Sequence, residues 1–84
     1  MRKIKLTKLN TLEEAVYPQK EKYPDNWYVE GYSSKKPEVG EVFYVLASKL
    51  YPILRTSTLT KVINKKSYII FTTLNSTYKL EYIS

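Results

Sequence analysis

An all-β fold is what this 84-residue sequence predicts: a small antiparallel barrel or roll, SH3-like, with five to six short strands and at most one short helical turn. Three observations predict it. Apolar and polar residues alternate over most of the chain. β-branched and aromatic residues fill the alternating stretches. Turn-forming residues recur between them at short intervals. The length suits one domain spanning residues 1–84. Closing the sheet hides edges that a flat sheet would expose, and an OB-like barrel is the alternative closure.

The first element is a strand in which Ile4 and Leu6 alternate with Lys3, Lys5 and Thr7, placing the aliphatics on one face and these charges in water. Thr11-Leu12-Glu13-Glu14 has capping-box form and predicts a short helical turn. That turn cannot run far, because Pro18 disfavours helix in Tyr17 and Pro24 does the same to Tyr23. Residues 27–32 are aromatic and β-prone, and Ser33-Ser34-Lys35-Lys36-Pro37 reads as an exposed loop. Pro37-Glu38-Val39-Gly40 turns the chain into residues 41–48. Both phases of that stretch are apolar, which marks it as the expected central strand.

Pro52 interrupts next, and residues 53–63 resume as a threonine-rich β segment whose apolar phase shifts between Leu54 and Leu59, as a bulge near Arg55 would produce. Asn64-Lys65-Lys66-Ser67 is a hairpin loop and Asn75-Ser76 a tighter turn, so the last three strands form a meander. Asn75-Ser76-Thr77 has the form of a glycosylation sequon, but turn chemistry accounts for it. A domain this small buries only about 60% of its unfolded surface, so association into a homo-oligomer is expected to supplement its core.

Composition excludes much chemistry. The chain has no Cys and no His, which removes disulfides, Cys/His zinc sites, thiol nucleophiles and imidazole bases. Its acids are scattered apart from Glu13 and Glu14, and neighbours in sequence do not converge on one site, so paired-carboxylate catalysis and a carboxylate metal cage are not expected. Two glycines make no phosphate-binding loop. The expectation is a protein that is not an enzyme and carries no metal or cofactor. No apolar run approaches the ~20 residues that cross a bilayer, so no membrane partner is expected and the location expected is cytoplasmic.

The net charge is +6, and it is unevenly placed: residues 1–42 carry +1 and residues 43–84 carry +5. Such a balance favours anionic partners. Within the basic half, Arg55, Thr56, Ser57, Thr58 and Lys61 combine an arginine fork with neighbouring hydroxyls, the groups that hold a phosphate. Lys65 and Lys66 at the hairpin tip add field. Among nine tyrosines, one tryptophan and two phenylalanines, Trp27, Tyr28, Tyr32 and Tyr51 lie nearer loops or strand ends, and of these Trp27 and Tyr32 are the candidates for stacking on a base.

Val39-Gly40-Glu41-Val42-Phe43, the run from Arg55 to Val62, and the run from Phe71 to Glu81 together resemble small uncharacterised β-rich proteins of tailed phages and mobile elements. That resemblance covers about the C-terminal half and implies a phage setting, in the cytoplasm of a host cell. There, small basic non-catalytic proteins bind nucleic acid, block a host protein or sequester nucleotide signals of host immunity. The expected function is binding of an anionic nucleotide-type ligand, as a counter-defence sponge. The alternatives are a small basic nucleic-acid-binding barrel and a protein-blocking phage inhibitor.

Overall fold

A computed structural model describes residues 1–17, 23–49 and 51–83. The described residues form seven strands: β1 (Arg2–Thr11), β2 (Tyr28–Ser33), β3 (Tyr44–Ser48), β4 (Tyr51–Arg55), β5 (Leu59–Asn64), β6 (Ile69–Thr73) and β7 (Ser76–Tyr82). All pair antiparallel in one sheet of order β4-β3-β2-β1-β7-β6-β5. The fold is therefore the expected small all-β antiparallel roll.

Alternation builds the core directly. Ile4 and Leu6 of β1 are fully buried, with Leu80 and Tyr82 of β7 opposite them on one side and Val29 and Gly31 of β2 on the other. Phe43, Val45, Leu59, Ile69, Phe71, Tyr78 and Leu80 complete the core. Phe71 packs between Phe43 and Tyr78, each ring centroid 5.4 Å away. Lys8 continues the inward phase of β1 and is itself buried; its methylenes pack while its Nζ donates to the Tyr23 carbonyl at 2.5 Å.

What curls the sheet is the stretch 51–64. It pairs first with β3 and then, after leaving the ladder at residues 56–58, with β6. Reciprocal bonds between residues 40–41 and Leu59 (Gly40 N–H to Leu59 O and Leu59 N–H to Glu41 O, both 2.8 Å) tie the segment before β3 to the start of β5. The chain at 56–58 thus joins β4 to β5, while these hydrogen bonds tie the approach to β3 to the start of β5.

Several sequence expectations change here. The run expected as one strand over 53–63 is two, which raises the strand count to seven. The bulge expected near Arg55 is displaced: register shifts occur beside Ile53 and at Thr60, and the change of phase comes from the excursion at 56–58. The expected central strand, 41–48, lies second from one end, and β1 holds the centre. Its double apolar phase arises because Phe43 and Val45 enter the core while Tyr44 and Leu46 cover the outer surface beside Tyr32.

Gly31 explains how β3 comes so close to β2. A Cβ there would lie 2.8 Å from the Leu46 carbonyl oxygen and 2.8 Å from a Val45 methyl. At the other glycine, φ is +90° and the Glu41 N–H reaches back to Glu38 O at 3.2 Å, so Gly40 provides the left-handed residue of the turn predicted there. The turn predicted after β1 is not helical: Ala15 N–H to Leu12 O (3.2 Å) closes a four-residue turn, because Thr11, the expected cap, stays in the β1 ladder opposite Ser76. Pro18 lies outside the described residues. The loop expected after Tyr32 starts one residue later, since Ser33 ends β2 buried, and Pro37 is buried as well. No helix among the described residues is long and apolar enough to cross a membrane.

Candidate functional site

One cleft of about 340 Å³ opens where three chain segments meet. The excursion between β4 and β5 supplies Arg55, Thr56, Ser57 and Thr58, the turn between β6 and β7 supplies Leu74 and Asn75, and the chain around β1 supplies Tyr17 and Tyr23. Tyr78 rises into it from the core.

Each wall has a local cause. Thr73 shapes the β6–β7 turn: its Oγ1 accepts the N–H groups of Asn75 and Ser76, both at 3.1 Å. So held, the Asn75 amide lies alongside the Tyr17 peptide groups. It accepts the Tyr17 N–H through Oδ1 at 2.8 Å and donates through Nδ2 to Tyr17 O at 3.2 Å. Backbone bonds extend the seam, from Leu12 N–H to Asn75 O (2.8 Å) and from Val16 N–H to Leu74 O (3.0 Å). Tyr23 is fixed on its other side by stacking on Trp27, centroids 3.8 Å apart and planes 13° from parallel. The Lys8 backbone anchors that pair, accepting from Asn26 N–H at 2.7 Å and donating to Trp27 O at 2.8 Å.

Among the described residues lining the cleft, Arg55 is the one charged side chain. It is exposed and has no carboxylate partner among the described residues. Ser57 and Thr58 are half-buried, with hydroxyls that bond to no described residue. Thr56, expected to act beside them, has another task. Its buried Oγ1 accepts the Phe43 N–H at 3.0 Å and donates to Ser57 O at 2.8 Å, so its hydroxyl proton is engaged in holding the excursion against the β3 approach. The site thus offers a guanidinium, two hydroxyl groups, an amide and three phenol rings, a set that binds an oxyanion and an aromatic ring together.

The remaining sequence candidates lie elsewhere. Lys61 is on β5 and Lys65 and Lys66 are on the β5–β6 turn, all exposed and none lining the cleft. Trp27 stands behind Tyr23 as its support. Tyr32 lies on the outer face, opposite Lys3 on β1 and Leu46 on β3. The residues sequence reasoning missed are Tyr17, Tyr23, Asn75 and Tyr78. For Asn75 a signal was present in Thr73-Leu74-Asn75-Ser76, since a buried turn amide must find partners. Nothing local distinguishes Tyr17 or Tyr23 from the other tyrosines.

Among the described residues, no three or more acids come together as a group that could hold a metal ion. Comparison with known proteins found no matching family model, no matching curated protein and no matching solved structure.

Proposed function

We propose that this protein binds an anionic nucleotide-type ligand without transforming it, with Arg55 on phosphate and a cleft tyrosine against the base. One observation carries the reading: among the described residues, an arginine without a carboxylate partner, two uncommitted hydroxyls and three tyrosines line the same cleft, with no acidic side chain beside them. Its volume of about 340 Å³ is at the lower end of the ~300–1,000 Å³ typical of small-molecule pockets. That size suits a mononucleotide-scale ligand. A binder of this kind acts by sequestration, which agrees with the phage setting that the sequence resemblance implies.

The nucleic-acid alternative draws on the outer face, where Lys3, Lys5, Tyr28 and Tyr32 lie together in register. Glu30 separates the two tyrosines there and Glu81 faces Lys5, so a stacked strand would run its phosphates past acids. The described residues lining the cleft contain no such conflict.

Native mass spectrometry of protein purified from cells, before and after denaturing extraction, tests the proposal and reports the oligomeric state at once. A retained anion of nucleotide mass, absent from Arg55→Ala protein that remains folded, is expected. Folded protein that retains and binds no nucleotide overturns the reading. Salt separates the alternative, because a polyanion touching several phosphates loses affinity steeply as salt rises, whereas a small enclosed ligand loses less.

A further inference from the structure

A second cavity, of about 200 Å³, lies where the start of β1 and the ends of β2 and β7 come together. Met1, Arg2, Ser33, Ser34, Lys35, Lys36 and Tyr82 line it. None of these belongs to the cleft around Arg55. We propose that this cavity is a separate binding site for a compact phosphate-type oxyanion, either inorganic phosphate or the head of a phosphomonoester.

Charge is the first argument. Among the described residues, the lining carries three cationic side chains and no acidic one. Lys35 is committed to Glu41, with which it forms a salt bridge at 2.5 Å. That pair cancels, and Arg2 and Lys36 remain without a carboxylate partner among the described residues.

Preorganisation is the second. The Arg2 guanidinium lies 3.9 Å from the centroid of the Tyr82 ring. This contact holds the guanidinium over the ring, and an arginine fork so placed can make a two-pronged contact with an oxyanion. Antiparallel pairing sets Arg2 directly opposite Ser33, and Ile4, two residues along β1, opposite Tyr82. The sheet register therefore places all three groups.

Ser33 is the third and most specific argument. It is only 4% exposed, yet its hydroxyl bonds to no described residue. No fully enclosed polar side-chain atom among the described residues lacks a partner, so the small exposed part of Ser33 includes its hydroxyl, and Ser33 is one of the residues lining the cavity. A buried hydroxyl left open in a cavity lined by two cations without a carboxylate partner among the described residues is an arrangement an oxyanion satisfies. At about 200 Å³ the cavity falls below the ~300 Å³ where pockets for drug-sized ligands begin. It has room for a phosphate group and not for a whole nucleotide.

The test is titration of isotope-labelled full-length protein with sodium phosphate at constant ionic strength set with chloride, followed by amide NMR shifts. Saturable shifts at Ser33, Ser34, Lys35 and Lys36 are expected. Lys36→Gln and Ser33→Ala should each weaken binding roughly 10-fold, the effect of one charge-assisted hydrogen bond, and Arg2→Gln at least as much. Lys36 is exposed, so its variant keeps the fold even where a change at buried Ser33 does not. Arg55→Ala should leave these shifts unchanged, which separates this site from the cleft. Parallel titration with glycerol phosphate distinguishes the two sources, tighter binding marking the natural one. Shifts that rise linearly and match a chloride titration, that survive Lys36→Gln and Arg2→Gln, or that vanish with Arg55→Ala overturn the proposal.

Discussion

Replacing Asn75 by alanine tests how the cleft is built. The Asn75 side chain makes two hydrogen bonds to Tyr17, at 2.8 and 3.2 Å, and Asn75 itself is 8% exposed. A hydrogen bond of this kind contributes about 1 kcal/mol net, and more where the abandoned partner stays buried. Tyr17 is 40% exposed, so water reaches part of what is uncovered and the lower end applies. Asn75→Ala should therefore cost about 2 kcal/mol, which in a domain of this size lowers the melting temperature by roughly 8–15 °C. Thermal denaturation by circular dichroism reads the loss, and hydrogen exchange locates it, since the Tyr17 amide should lose protection while β1 amides keep theirs. Asn75→Asp sharpens the test. Its carboxylate still accepts from the Tyr17 N–H but faces the Tyr17 carbonyl with no donor, so its stability should fall to near that of the alanine variant. It also places a negative charge in the cleft and should abolish binding of an anion there. A melting temperature within about 2 °C of the parent for Asn75→Ala, with Tyr17 still protected, would refute the role given to this side chain.

Three further outcomes are expected. Gly31→Ala drives a Cβ to 2.8 Å from the Leu46 carbonyl, and the forced separation of β2 from β3 should cost about 1–3 kcal/mol by denaturant titration; an unchanged midpoint counts against that close approach. Lys8→Ala leaves a cavity in place of a buried four-carbon stem and should destabilise by about 2–4 kcal/mol; Lys8→Met, which restores the stem, should recover more than half, and equal losses would show that the ammonium matters more than the packing. The Lys35 ammonium is held above its ordinary 10.5 chiefly by its hydrogen bond to Glu41, which outweighs the opposing effect of desolvation, with the nearby charges of Glu41 and Glu38 adding to the rise. Because the folded-state value is raised, the contribution is complete below the unfolded value and is lost only as pH climbs through the folded one. Glu41→Gln should accordingly leave stability nearly flat from pH 6 to 9, the pair being exposed, and a slope in that window would contradict the assignment.

Local periodicity and turn chemistry determined much of this molecule before any tertiary contact was known. Ile4 and Leu6, the hairpin at Asn64–Ser67, the turn at Gly40 and the Tyr78-Leu80-Tyr82 alternation were legible because each depends on neighbours within a few residues. The strip Arg55-Thr56-Ser57-Thr58 was legible as a chemical set for the same reason. The tertiary structure decided the rest. Which strand is central depends on the pairing order of distant segments, and the apolar phases of 41–48 carry no information about that order. The burial of Lys8 depends on a carbonyl 15 residues away, at Tyr23. The walls of the cleft come from residues 58 apart, since Asn75 positions Tyr17 only once the roll has closed. Closure also gave Thr56 its structural task, by bringing the Phe43 amide within 3.0 Å of its hydroxyl. A sequence determines which groups are available and which face of a strand each occupies; only the closed sheet determines which of them meet.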